Sequence, residues 1–455
     1  MDFTLRILPF IFLFLLSCTH LSAPTRQLAS LDTTDSFTQL ALWETTANGA
    51  GERSAELFDL EHYEIPLRYL SQDLAEGLDP RIRDSLIFEK DGEAYVRWVV
   101  NPEDTVWRYD IEEFLRAKNL SAEYHTYFKG HLTASRSVLV HNPANGAKFS
   151  LKVSTNMTAG IWRDKRQGWD DAKQIRQISD MAKTVTEKMK LTTAVFMEEP
   201  MAMGIPELEQ AFVVRSLNDV PENKFFYLPA FSAIHEAEGA RIAKLNGAEN
   251  IADFWNENLN RPLARALAEF AAYTGFTYDS PHSQNFLVEL DLNYKPTGRI
   301  VLRDFGDSYL SPDFIENTVH RELLLSWPRH NIMTNHFNMS IGLTNGNTTP
   351  EWLKDSIADW GDDFFDEFEE KFSKITGVSL ENLQSRRIGE HSNFDYAFHK
   401  GYFRKKYLIG DPSWKEFFKQ APCFSGAPID IERCNSISIK NRIDLSCSTL
   451  LYFLL

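Results

Sequence analysis

Cysteine is scarce: the 455 residues hold four, Cys18 near the start and Cys423, Cys434 and Cys447 close to the end. A disulfide-stapled scaffold is excluded, and the last three permit one disulfide in an oxidising compartment, with the pairing open. Positive charge is also in short supply. The formal net charge is −16, which argues against a general nucleic-acid partner and means that an anionic ligand needs a local cationic pocket. Long apolar runs are missing, since Ile7–Leu16 and Leu450–Leu455 are both too short to span a bilayer. No internal repeat is evident, and His320, His330 and His336 lack the short paired spacing of metal ligands, which leaves them structural or surface roles. What the chain does have is core-forming material: 33 Phe and 10 Trp suffice for a large enzyme of two or three domains.

Two polar motifs flank one predicted hairpin. Pro281-His282-Ser283-Gln284-Asn285 precedes the β-rich Phe286-Leu287-Val288-Glu289-Leu290. Arg303-Asp304-Phe305-Gly306-Asp307 follows Arg299-Ile300-Val301-Leu302, with Pro296 and Gly298 as turn formers between. A hairpin brings its ends together, so Asn285 is expected beside Asp304. A carboxylate with amide and imidazole neighbours is the donor set of a Mg²⁺-nucleotide site. Upstream, Pro262 to Tyr273 reads as a helix, with Pro262 in its first turn and Gly275 beyond its end.

The cations that such a site needs lie on a second hairpin. Ser137–His141 and Ala147–Ser154 flank the turn-rich Asn142-Pro143-Ala144-Asn145-Gly146, and in the return strand Lys148, Ser150, Lys152 and Ser154 share one face. That face suits phosphates, and it equally suits water. Ser135 and Arg136 enter this hairpin, and Thr158 and Arg163 follow it.

In this order the motifs resemble those of the aerobactin-type (IucA/IucC) family of NRPS-independent siderophore synthetases. They are Thr133-Ala134-Ser135-Arg136-Ser137, Lys148-Phe149-Ser150-Leu151, Thr158 to Arg163, His282-Ser283-Gln284-Asn285 and Arg303-Asp304-Phe305-Gly306. The resemblance covers about residues 130 to 340. It implies ATP and Mg²⁺ as cofactors, adenylation of a carboxylic acid such as citrate, and condensation with an amine or hydroxyl acceptor. It places nucleotide binding on Ser135, Arg136, Lys148 or Lys152, Thr158, His282, Gln284 and Asn285, metal binding on Asp304 and Asn285, and catalytic roles on Arg163 and His282. The chain departs from the family pattern at Ser280, where a Glu is usual, and in lacking a His-Pro-rich segment near its start. The later motifs also resemble the catalytic loop of aminoglycoside-phosphotransferase-like kinases. The Asp base of those enzymes is missing here, with Ser283 and Gln284 in its place, whereas activating an already ionised carboxylate requires no base.

The N-terminus is similar to a bacterial lipoprotein signal: Arg6, the apolar Ile7–Leu16, then Leu15-Leu16-Ser17-Cys18. Cys18 is then the lipidated first residue of an exported protein anchored to the outer membrane. If the signal is spurious, the chain is cytoplasmic. The expected organisation is a signal peptide (1–17), a Thr/Ser/Ala/Gly-rich tether (18–55), an N-terminal region (56–130), a nucleotide-pocket lobe (131–239) in which a helix starts near Trp169, a C-terminal lobe (240–420) and a Cys-containing tail (421–455). In the C-terminal lobe the acidic stretch 362–372 carries Phe364, Phe365, Phe368 and Phe372 on one stripe and reads as a solvated amphipathic helix. The expected fold class is α+β and multi-lobed, with antiparallel sheets, helices and a nucleotide pocket between lobes. A non-catalytic lipoprotein that binds a carboxylate-rich ligand is the alternative.

Overall fold

The computed structural model describes residues 35–48, 56–133, 136–158, 165–217, 224–278, 283–310 and 350–381. Helix α1 (Ser36–Thr46) comes first. Strands β1 (Phe58–Pro66), β2 (Ser71–Leu74), β3 (Ile87–Lys90) and β4 (Glu93–Val99) lead to helix α2 (Trp107–Ala117). Next come β5 (Tyr124–Leu132), β6 (Ser137–His141), β7 (Lys148–Lys152) and helix α3 (Trp169–Lys188), then β8 (Ala194–Phe196), β9 (Met201–Ile205) and β10 (Gln210–Ser216). The second half holds β11 (Phe226–Pro229), helix α4 (Arg261–Thr274), β12 (Phe276–Tyr278), β13 (Phe286–Leu290), β14 (Pro296–Leu302), β15 (Ser308–Leu310) and helix α5 (Ile357–Thr376).

A nine-stranded antiparallel sheet runs β2-β9-β10-β7-β6-β5-β1-β4-β3, and a four-stranded sheet runs β11-β13-β14-β8. The second is antiparallel except where β8 lies parallel to β14, with Ile300 opposite Ala194. The mixture of helices and mainly antiparallel sheets is the α+β class that the sequence predicts. The expected boundary at residue 130 falls inside β5, however, and one sheet joins both sides of it.

Local chemistry accounts for the elements nearest the two motifs. The β6–β7 hairpin closes through Gly146, whose φ of 73° suits a residue without Cβ and whose N–H donates to Asn142 O at 2.8 Å. Helix α3 has Asp170 and Asp171 in its first turn and Lys188 in its last, each favourable to the helix dipole. Helix α4 stops at Gly275, left-handed at φ 71°, whose N–H donates to Ala271 O. The β13–β14 turn is tighter than predicted. It closes at Asp291–Lys295, with Asp291 N–H donating to Lys295 O at 2.8 Å, so Pro296 and Gly298 lie within β14, where a bulge shifts the register.

Three expectations are corrected. The tether does not extend through residues 36–46, because α1 is a helix with Leu40 and Trp43 fully buried. The polar face of β7 is not solvated: Ser150 and Lys152 are as buried as Phe149 and Leu151 on the other side, because the second sheet and α3 cover it. The acidic helix α5 forms and buries its Phe stripe, yet its charged side is not simply solvated. Asp363 pairs with Arg261 at 2.8 Å, Glu367 with Arg265 at 2.8 Å, and Glu369 is buried. Cys18, Cys423, Cys434, Cys447, His320, His330 and His336 lie outside the described residues. Among the described residues no helix is long and apolar enough to cross a membrane.

Candidate functional site

The site forms where the open end of the β6–β7 hairpin, in the interior of the first sheet, meets the open end of the β13–β14 hairpin. Lys152 closes β7 opposite Val213 of β10, and Ser150 lies opposite Arg215, so Lys152 and Arg215 are diagonal neighbours on one face. From the second sheet, Phe286 pairs with Leu302, which puts the turn Ser283–Asn285 beside Arg303 and Asp304.

Asp304 is the centre of the cluster. Its Oδ1 accepts a hydrogen bond from the Lys152 ammonium and lies 3.8 Å from Arg215 Nη2. Burial alone would raise the Asp304 pKa, but the charges of Lys152 and Arg215, the Lys152 hydrogen bond and the charge of Arg136 together hold the carboxyl well below the usual range. Asp304 is left-handed, with φ 64° and ψ 70°, a conformation that Asp tolerates but that still costs on the order of 1 kcal/mol. Glu199 holds it there. Glu199 Oε2 accepts from Phe305 N–H at 3.1 Å while its Oε1 pairs with Arg215 at 2.7 Å. Gly306 leaves the room that this approach needs, since a Cβ there would sit 3.1 Å from Lys152 Nζ and 3.4 Å from Asp304 Oδ1.

The turn before β13 supplies polar groups without partners. Asn285 is 1% exposed and Ser283 is fully buried, yet Asn285 Oδ1 and Nδ2 and Ser283 Oγ have no hydrogen-bond partner among the described residues. Such orphans are costly unless they serve a ligand. Arg303 fastens the turn. Its guanidinium donates to Gln284 O at 2.8 and 3.0 Å and pairs with buried Glu44.

Of the residues that the sequence singles out, Lys152 and Asp304 are in contact, the charge of Arg136 acts on Asp304, Asn285 O accepts from the N–H of Arg303, the residue before Asp304, and Gln284 contributes its carbonyl to Arg303. Lys148 is placed elsewhere. It pairs with Asp35 at 3.1 Å and lies over the Phe37 ring, so of the two strand lysines it is Lys152 that joins the Asp304 cluster. Thr158 is buried at the end of its described segment. Ser135, Arg163 and His282 lie outside the described residues. Sequence reasoning missed Glu44, Glu199 and Arg215. The available signals were a Glu-Glu-Pro interruption at 198–200 and one cation at the end of the apolar run Ala211–Val214.

No protein-family description matches the sequence, and no curated protein does. Solved structures do. The petrobactin biosynthesis protein AsbB from Bacillus anthracis superposes with a TM-score of 0.53 at 13% identity, over 72% of this chain and 63% of that one. The aerobactin synthetase IucC from a hypervirulent Klebsiella pneumoniae superposes with a TM-score of 0.52 at 14% identity, over 79% of this chain and 72% of that one. This chain has the siderophore-synthetase fold. It spans less than two thirds of AsbB, and at such identity the likeness is one of architecture, so chemistry has to be argued from the site.

Within the siderophore-synthetase fold the cluster's charge balance is informative. Among the described residues Arg136, Lys152, Arg215 and Arg303 stand against Glu44, Glu199 and Asp304, one cation in excess, in a chain of net charge −16. Local positive charge in an acidic protein suits an anionic ligand.

Proposed function

We propose that the chain is an ATP-dependent ligase of the siderophore-synthetase type. A substrate carboxylate oxygen attacks the α-phosphorus of ATP, the bond to pyrophosphate breaks, and the acyl adenylate passes its acyl group to an amine or hydroxyl with release of AMP. The observation that carries this reading is the Lys152–Asp304 pair at the end of one hairpin strand, together with the Asn285 amide, unpartnered among the described residues, at the start of the other.

The donor set fits Mg²⁺. Asp304 offers a carboxylate and Asn285 an unpaired amide oxygen. Phosphate oxygens and water would complete the shell. The ion, when bound, neutralises phosphate charge. Arg136 and Lys152 add to that neutralisation and Asn285 Nδ2 offers an oxygen a donor, while Arg215 and Glu199 keep Asp304 in its left-handed conformation. The attacking carboxylate is ionised at neutral pH, so the absence of a loop Asp does not impede the step. Exchange of labelled pyrophosphate into ATP, dependent on an added acid such as citrate and abolished in Asp304→Asn, tests the reading. ADP formation instead would indicate a phosphotransferase.

A second reading rests on Leu15-Leu16-Ser17-Cys18. In it the chain is exported, lipid-anchored at the outer membrane through Cys18 and supplied with no ATP, and its cations bind a carboxylate-rich ligand. It predicts no exchange with any acid, and incorporation of labelled fatty acid that is lost in Cys18→Ser.

A further inference from the structure

Helix α1 has almost no solvent-facing side. Phe37, Leu40 and Ala41 pack with Leu139 of β6 on one side and with Tyr227, Leu287 and Val301 of the second sheet on the other. Its polar ties also reach both sheets. Asp35 pairs with Lys148 of β7 at 3.1 Å, Ser36 Oγ donates to Phe225 O at 2.5 Å, and Trp43 Nε1 donates to Glu238 Oε1 at 2.8 Å. The helix is a pin between the sheets, and each sheet contributes one partner of the Lys152–Asp304 pair.

Glu44 is the residue of this pin that points at the site. Its side chain is 3% exposed and pairs with that of Arg303, 7% exposed. The same guanidinium holds the Gln284 carbonyl through two hydrogen bonds, and Arg303 N–H donates to Asn285 O at 3.0 Å. Arg303 therefore fixes the turn bearing the orphaned Asn285 amide, and it directly precedes Asp304 in the chain. Among the described residues Glu44 is the only carboxylate paired with Arg303. Removing it would leave a buried cation uncompensated and free to reorient.

We propose that Glu44 is a positioning residue for the nucleotide site, acting through Arg303 on the Gln284–Asn285 turn and on Asp304. The role rests on the ligase reading only in its choice of ligand. Partners that orient metal ligands typically change affinity by about 10–100-fold when removed, and Glu44 acts on Asn285 and Asp304 one step further out, through Arg303.

The test uses the whole chain and Mg²⁺-ATP. Glu44→Gln keeps the shape and one acceptor oxygen but removes the charge. At a temperature where it is folded, its dissociation constant is expected to rise at least about tenfold, with faster hydrogen exchange at the Arg303 amide and unchanged exchange in β3 and β4. Lys371→Met breaks a buried pair distant in sequence from the motifs, with Glu269, and controls for destabilisation: it leaves the affinity unchanged. Wild-type affinity together with wild-type exchange in folded Glu44→Gln overturns the proposal. Should that variant not fold, Glu44→Gln/Arg303→Gln removes both buried charges, and the proposal then requires the double variant to bind weakly; wild-type binding by it overturns the proposal. If the unaltered chain binds no Mg²⁺-ATP, the ligase reading falls separately. The Arg303 exchange comparison then decides alone, with faster local exchange in Glu44→Gln supporting the positioning role and unchanged exchange refuting it.

Discussion

Two carboxylates, buried Glu269 on α4 and partly buried Asp304 after β14, each pair with a lysine and differ in their other surroundings. Glu269 accepts from the N–H groups of Thr192, Thr193 and Ala194 at 2.8–3.1 Å, from Thr192 Oγ1 at 2.6 Å, and from Lys371 at 2.8 Å. Its lone pairs are spent on the backbone entering β8 and on α5, in an unstrained helix. Burial pushes its pKa up, but the Ala194 N–H, Lys371 and Thr192 outweigh that and hold it below its ordinary value. Asp304 sits in a left-handed conformation, receives charge rather than backbone donors among the described residues, and follows Arg303, whose N–H bonds the backbone of Asn285, a residue whose amide has no partner among the described residues. A saturated carboxylate reads as architecture. One that is over-supplied with cations, strained and beside orphaned groups reads as a site.

The contrast can be broken most sharply by neutralising each acid. Asp304→Asn keeps the shape and the tolerance for left-handed backbone, and Mg²⁺-ATP affinity is expected to fall by about 100-fold or more by calorimetry, at the upper end for lost metal-site groups. Glu269→Gln is expected to leave that affinity unchanged while costing about 3 kcal/mol in denaturant unfolding, because Lys371 and three backbone donors lose their anion. The opposite pattern would mean that the two roles are exchanged.

Acid titration sharpens the same comparison. The Glu269 pKa is lower folded than unfolded, so its stabilisation is complete above the unfolded value near 4.5 and is lost as pH falls through the folded value. The stability gap between the unaltered chain and Glu269→Gln is therefore expected to be full at about pH 7 and to shrink below about pH 4.5. A gap that widens in acid would contradict this assignment. The smallest effect is expected at the other strand lysine. Lys148 and Asp35 are 21% and 37% exposed, so Lys148→Ala should cost about 0.2–1 kcal/mol and leave nucleotide affinity nearly intact, whereas Lys152→Ala should weaken binding strongly.

Much of the scaffold was legible because short-range patterns dictate it. Alternation marked β7, β-rich apolar runs marked β13 and β14, and Pro262 and Gly275 bracketed α4 close to its observed ends. The closeness of Asn285 to Arg303, the residue before Asp304, followed from the hairpin. Helix α1 was not legible, because a helix buried on nearly all sides shows no amphipathic stripe and its Thr, Ser and Ala content resembles a linker. Nor were Glu44, Glu199 and Arg215. Their partners lie far away in sequence, and a carboxylate becomes a support for Arg303 or Phe305 only once two sheets are packed. The different placement of Lys148 and Lys152 was likewise tertiary, since both share one strand face and are separated by the contacts of Lys148 with Asp35 and Phe37 and of Lys152 with Asp304.

The most direct test of the account is calorimetric titration of the whole chain with Mg²⁺-ATP, beside Asp304→Asn and Lys152→Ala. The account predicts saturable one-site binding that disappears in Asp304→Asn and is strongly weakened in Lys152→Ala. A folded chain that binds no Mg²⁺-ATP at millimolar concentration, or variants that bind as the unaltered chain does, would contradict the assignment of this cluster to a nucleotide.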